Sequence, residues 1–220
     1  MSSTLSLLPP LLAGLAVTLK ITAGAAIVAL VLSFAAGLAR LSPRMWISFS
    51  ALVYIDIFRG TSALVQLFWA YFALPLFGVR LDAMTVGILV LGLNIGAYGA
   101  EVTRGAIQSI PKGQWEAATA LNFTASQAMR RIIMPQALVA MLPPFGNLLI
   151  ELLKSTALVS LITLSELTFQ GQVLRSATMR SAEILALTLI LYFITAQLLV
   201  LFVRIAERRL THNLDQGGIQ

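Results

Sequence analysis

The chain has 220 residues, 58% of them hydrophobic and 11% charged, with a net charge of +6 and no cysteine; its mean hydropathy is +0.89. So little charge excludes an ordinary soluble domain, and the lack of cysteine excludes a disulfide framework or a cysteine metal site. Long apolar runs with short basic gaps predict an all-α, polytopic membrane protein, since a membrane barrel would show short alternating segments.

In chain order, the start MSSTLSLLPP has no basic segment and no small-residue cleavage site, so it reads as part of the mature protein. The first predicted span is 11–38, interrupted only by Lys20, which can snorkel to the surface. The second apolar stretch, 46–77, would be roughly 48 Å long as one helix, too long for a hydrocarbon core of about 30 Å. It must tilt, lie partly in the interface or break, and Gly60–Thr61 is the expected break, just after the polar pair Asp56 and Arg59. The third span is 84–107, ended by Ser109–Ile110–Pro111. A polar segment, 109–136, separates it from the fourth span, 137–164, which carries Pro143 and Pro144 early. A loop with Arg175 and Arg180 is expected over 165–182, and the fifth span is 184–203. The lone histidine, His212, falls in the tail as a solvated residue. The whole of 1–220 is thus one transmembrane domain.

The positive charge could suggest nucleic acid, but its placement argues for topology instead. One set of connections holds Arg40, Arg44, Lys112, Arg130, Arg131, Arg204, Arg208 and Arg209; the other holds Arg80, Arg175 and Arg180. The excess places the first set in the cytoplasm, with the N-terminus outside and the C-terminus inside.

The segment GQWEAATALNFTASQAMRRIIMPQA, 113–137, then lies in the cytoplasm and spells two short helices. Alanines favour the first. Asn122 stands where the chain must turn, in the left-handed conformation. Thr124 and Gln127 fit a capping box that opens the second helix. That helix is expected to run to about Ile133, because the residue before Pro135 is disfavoured in the α region.

Glu116–Ala117–Ala118, the turn at 122 and Met134–Pro135 resemble the EAA loop of permease subunits in bacterial ABC importers. The resemblance implies a coupling hairpin that docks in a groove of a cytoplasmic ATPase, with Ala117 and Ala118 allowing close approach and Glu116, Arg130 and Arg131 offering charges. The family usually has Gly where this chain has Asn122. The likeness extends through Phe58–Arg59–Gly60–Thr61, Leu64–Val65–Gln66–Leu67–Phe68, Gly96–Ala97–Tyr98–Gly99–Ala100–Glu101 and Leu153–Lys154–Ser155–Thr156. These resemble the polar amino acid branch of histidine, glutamine and arginine importers. Within it, FRGTSALVQLFWAYFALPL, LNIGAYGAEVTRGAIQ and PPFGNLLIELLKSTALVSLITL are closest to ectoine and 5-hydroxyectoine permeases. The resemblance implies the type I importer fold in the inner membrane and binding-protein-dependent import. It implies a second permease, identical or a sister, an ATPase dimer and an extracytoplasmic solute-binding protein as partners. No phosphate-binding G-x-x-x-x-G-K-[ST] stretch is present, so the chain hydrolyses no ATP and needs no cofactor of its own; ATP and magnesium belong to the ATPase. A secondary transporter is the competing class, but it should show an internal repeat, and neither it nor a channel subunit needs the hairpin.

Polar groups inside spans are candidates for the solute path, because charge at membrane depth is costly. Glu151 and Lys154, three apart, form either a structural ion pair or part of a solute site. Ser155 and Thr156 add hydroxyls where the fourth span could unwind. Asn94 and Glu101 share a face of the third span; Asn94 could face Glu151 and Lys154, and Glu101 could pair with Arg104. Asp56 and Arg59 are expected to pair structurally. Phe68, Trp69 or Phe72 could cover the cationic part of a solute. Gly24, Gly37, Gly87, Gly92, Gly96 and Gly99 are expected to serve helix packing.

Overall fold

A computed structural model describes residues 7–217, except for the side chains of Ala206 and 209–217; the first six residues and the side chains of Arg209 and His212 lie outside the described part. Among the described residues every regular element is helical. The elements are α1 (Leu8–Arg40), α2 (Met45–Gly60), α3 (Ala63–Phe68), α4 (Ala83–Ser109), α5 (Lys112–Ala120), α6 (Ala125–Ala128), α7 (Met134–Ser155), α8 (Leu167–Thr178) and α9 (Ser181–Gly217). Four helical segments are long and apolar enough to cross a membrane: Leu8–Arg40, Ala83–Ser109, Ala125–Ile162 and Ser181–Ile205. A bent pair, Met45–Gly60 with Ala63–Phe77, makes up to five.

The centre of the bundle is the pair α1 and α4. Apolar helices gain little from one another in lipid unless their backbones come close, so contact falls on small residues. Gly92 and Gly96 of α4 meet α1 in this way. A Cβ on Gly92 would lie 2.7 Å from Val28 Cβ, and one on Gly96 would lie 2.9 Å from Leu32 Cβ. Ser33 of α1 donates its hydroxyl to the Ala29 carbonyl at 2.6 Å, with the Gly96 carbonyl of α4 at 3.4 Å. Around this pair Ile21, Ala25, Leu91, Ile95 and Leu152 form the largest buried cluster, which joins α7 to α1 and α4.

The long second stretch breaks where expected. Thr61 and Ser62 are extended (ψ 154° and 131°), and the two arms meet at 102°. Beyond the break, α3 passes into a π turn, Trp69–Ala73, and a 3-10 turn, Leu74–Phe77, which ends at Gly78 with φ 87°. Arg59 and Asp56 do not pair. Among the described residues no ion pair joins them, and the Arg59 guanidinium instead lies over the Tyr98 ring of α4, 5.1 Å from its centroid. A cation–π contact leaves the exposed charge partly hydrated, which a surface ion pair does at no greater gain.

Two other boundaries differ from the sequence reading. The helix after the capping box does not stop at Ile133. It widens into a π turn, Met129–Ile133, and runs into α7 with Met134 still helical (φ −62°, ψ −43°). Pro135 lies in the first turn of α7, and the wider preceding turn accommodates its missing donor and bulky ring. The expected loop 165–182 contains α8, a helix capped by Glu166, whose carboxylate accepts from Phe169 N at 2.8 Å. A carboxylate at an N-cap satisfies an orphan donor and meets the positive end of the helix dipole.

If the close contact of α1 with α4 holds the bundle, Gly96→Val should destabilise it by about 1–3 kcal/mol through overpacking. Gly105→Ala, inside the same helix but where an added Cβ meets nothing within 4 Å, should leave stability unchanged or raise it slightly. Thermal unfolding of both variants in detergent checks this.

Candidate functional site

The hairpin 112–133 is built by local rules. At the end of α5, Phe123 N donates to the Ala118 carbonyl at 3.0 Å and Asn122 N to the Thr119 carbonyl at 2.9 Å. These are the two bonds of a Schellman motif, which requires a left-handed residue just past the helix; Asn122 has φ 55°. The expected capping box is present: Thr124 N donates to Gln127 Oε1 at 2.9 Å, and Gln127 N to Thr124 Oγ1 at 3.3 Å.

The hairpin is fixed to one end of the bundle. Ile107, Ile133, Ala137 and Met141 form a buried cluster with Phe34, Leu41 and Trp115 packed on it. Ala118 and Ala128 are buried, whereas Glu116, Ala117, Arg130 and Arg131 are exposed and Pro135 is half-buried. The two alanines of the motif thus do different things. Ala118 is small because the hairpin closes over it, and Ala117 leaves the outer face flat beside the Glu116 charge.

The interior polar residues do not gather into one site. Asn94 is buried, and its Nδ2 donates to the Phe58 carbonyl at 2.8 Å and to Gln66 Oε1 at 3.2 Å. Gln66 Nε2 in turn donates to Phe58 O at 3.0 Å and to Thr61 Oγ1 at 2.7 Å. Asn94 therefore serves the break, not a site shared with Glu151 and Lys154. Gln66 is a partner the sequence reading missed; its place five residues past Thr61 was the available signal. Glu101 pairs with Arg104, whose Nη2 lies 2.6 Å from Oε2, as its spacing suggested. Thr156 is buried and donates to the Leu153 carbonyl at 2.7 Å where α7 tightens into the 3-10 turn Thr156–Ile162, and Ser155 is half-buried beside it. Phe68, Trp69 and Phe72 are exposed on the arm beyond the break. They meet their own neighbours, Phe68 edge-on to Phe72 at 5.8 Å and Trp69 stacked on Phe77 at 6.4 Å.

Glu151 and Lys154 form no ion pair among the described residues; both are exposed on α7. Asn147, which the sequence reading passed over, is exposed one turn before Glu151. The i, i+4 spacing to Glu151 was the signal for it. The three make a polar stripe roughly 10 Å long on an otherwise apolar helix. Lys154 also lines a groove of 730 Å³ between α7 and α9, with Tyr192 and Gln197. By contrast, the 320 Å³ cavity bounded by Ala29, Leu30, Ile95, Phe145 and Leu149 offers a polar solute only the Ser33 hydroxyl, already engaged with Ala29.

Comparison with known proteins gives the family and the fold. Residues 29–212 match the family described as binding-protein-dependent transport system inner membrane component, and the chain belongs to it. Permeases of this family sit in the inner membrane and work with a separate ATPase, a solute-binding protein and a second permease. The chain is accordingly a non-catalytic permease subunit of an ABC importer. It is 47% identical over 210 residues to the probable amino-acid ABC transporter permease protein y4tF of Sinorhizobium fredii, covering 93% of this chain and 88% of that one. It is 38% identical over 205 residues to the glutamine transport system permease protein GlnP of Escherichia coli, covering 92% and 94%. A crystal structure of an amino acid ABC transporter with histidines superposes with a TM-score of 0.87 at 36% identity, over 95% of this chain and 99% of that one.

The hairpin geometry makes Asn122→Gly neutral or mildly stabilising, since Gly adopts positive φ freely. Asn122→Val should cost about 1–2 kcal/mol and weaken ATPase retention during purification in detergent. Equal retention by both variants would show that the left-handed turn is unimportant.

Proposed function

We propose that this subunit, paired with a second permease, passes a small zwitterionic solute of the amino-acid type inward along the α7 face that carries Asn147, Glu151 and Lys154. The observation that carries this reading is the unpaired exposure of Glu151 and Lys154 on a helix long enough to cross the membrane. Charged groups do not rest against lipid tails, so this face needs a water-filled path or a partner subunit. An acid and a base about one turn apart suit a solute that carries both a cation and a carboxylate. Thr156 and the change of helix type below it add a place where backbone carbonyls are less fully used.

The driving stroke enters at the hairpin, where Glu116, Ala117, Arg130 and Arg131 present an exposed, charged surface to the ATPase. Its side of the membrane is assigned by the excess of Lys and Arg there, which puts the hairpin and the C-terminus in the cytoplasm and the N-terminus outside. For the solute, the relatives' names favour amino acids. Ectoine or 5-hydroxyectoine is the narrower alternative; it rests on the wording of 58–76, 93–108 and 143–164, and it is also a compact zwitterion.

Exchanging the pair, Glu151→Lys with Lys154→Glu, tests the reading in proteoliposomes holding the full importer and its binding protein, with glutamine, arginine and ectoine as solutes. Uptake of the transported solute should fall about tenfold or more, as expected for losing a charge-assisted contact, while assembly and basal ATP hydrolysis persist. Uptake at the original rate and selectivity would leave the stripe without a role in the path.

A further inference from the structure

Glu166 is fully buried and has no cationic partner among the described residues. It stands at the start of α8, and three different elements converge on its carboxylate. From α9, Tyr192 donates its hydroxyl to Oε2 at 2.8 Å. From α1, Thr18 Oγ1 reaches Oε2 at 3.3 Å. From α8 itself, Phe169 N donates to Oε1 at 2.8 Å. Among the described residues the titratable group in contact with it is Tyr192; its other partners are the Thr18 hydroxyl and the backbone N–H groups of Thr168 and Phe169. The junction is close-packed on both sides. A Cβ on Gly14 of α1 would lie 2.9 Å from the Leu167 Cα, and one on Gly171 of α8 would lie 2.8 Å from the Thr188 hydroxyl of α9. Thr18 and Gly14 are at the opposite end of α1 from Phe34 and Leu41, which pack on the hairpin cluster. About 20 residues of helix, roughly 30 Å, separate the two ends.

A buried carboxylate without a cation is costly in its charged form. The same atoms accommodate a neutral acid without moving. Thr18 already lies 3.2 Å from the Gly14 carbonyl and can donate there instead. Tyr192 lies 3.0 Å from Thr168 Oγ1, so its hydroxyl can donate to Thr168 and accept from a protonated Oε2.

We propose that Glu166 is a proton-binding site that locks α8 between α1 and α9 when protonated and loosens this junction when it ionises. Burial pushes its carboxyl above the ordinary carboxylate range, outweighing the hydrogen bonds from Thr168 N, Phe169 N, Tyr192 and Thr18 that favour the charged form. The sign follows from linkage. A group that binds its proton more tightly in the docked structure stabilises that structure in acid, and the stabilisation is lost as pH rises through the raised pKa. The end of the bundle opposite the hairpin thereby becomes acid-tightened. This inference rests on the geometry of the junction alone and holds whichever side of the membrane α8 occupies.

The test uses the assembled importer in nanodiscs, where both faces see the same pH. Infrared difference spectra between the original protein and Glu166→Gln should reveal a protonated-carboxyl band that titrates with one proton above the usual glutamate range of about pH 4–5. Thr18→Val removes a donor to the ionised carboxylate, along with an acceptor for Leu167 N whose loss does not depend on pH, so it should move the midpoint up by about one pH unit. Hydrogen exchange of the α8 amides, corrected for intrinsic rate, should quicken as the original protein deprotonates and stay flat in Glu166→Gln. A band that vanishes at an ordinary carboxylate pH would overturn the proposal. So would α8 exchange with the same pH dependence in both proteins. If Glu166→Gln fails to assemble, the Thr18→Val midpoint still decides, and an unmoved midpoint counts against the site.

Discussion

Phe58 stands near the end of the first arm of a segment that turns by 102°, and its carbonyl is met by two side-chain amides, Asn94 at 2.8 Å and Gln66 at 3.0 Å. The rest of the structure depends on the rule this contact obeys. In a bilayer no water stands ready for a freed backbone group, so a helix that breaks must have its loose ends met by protein. Met here, the second stretch folds back along the bundle instead of crossing in one overlong helix. Asn94 reaches it only because α4 lies at the centre, held to α1 by Gly92 and Gly96. Burial imposes the same need at Glu166. The first turn of α8 leaves donors unpaired, and a buried carboxylate takes one of them at 2.8 Å from Phe169 N.

Much of this was legible in the sequence, where the governing physics is local. Hydropathy marked the long helices, although α9 continues to Gly217, well past the expected end at 203. The overlong stretch 46–77 announced its own break, and Thr124 with Gln127 announced the capping box. Asn122 was readable as a left-handed residue because few others occupy that place. Composition alone could not show what depends on packing at a distance. The helix was expected to end before Pro135, a rule that holds for a regular turn but not for the π turn that absorbs the ring. The 165–182 segment read as a loop because polar residues masked the short apolar face of α8, built on Leu167 and Gly171.

The candidate site was less legible than the fold. Glu151 and Lys154 were marked by charge within an apolar run. Their spacing suggested mutual pairing, which the side chains do not adopt. Asn94 was marked by the same logic and proved to be engaged elsewhere. An intramembrane polar residue can answer a neighbouring backbone as readily as a solute, and spacing along one helix cannot tell which. Glu166 went unmarked because it lies between the spans, where acidic residues are ordinary. Its burial arises only when α1 and α9 close over it.

The chain contains no cysteine, so a single introduced thiol reports its own surroundings without background. The central claim is that the α7 face bearing Asn147 lines a hydrated path, whereas the outer face of α9, exemplified by exposed Leu198, meets lipid. Labelling of Asn147→Cys and Leu198→Cys in the assembled importer with a charged, membrane-impermeant thiol reagent tests it. The account predicts rapid modification at 147, slowed by transported solute, and little at 198. An Asn147→Cys thiol as unreactive as the one at 198 would contradict it.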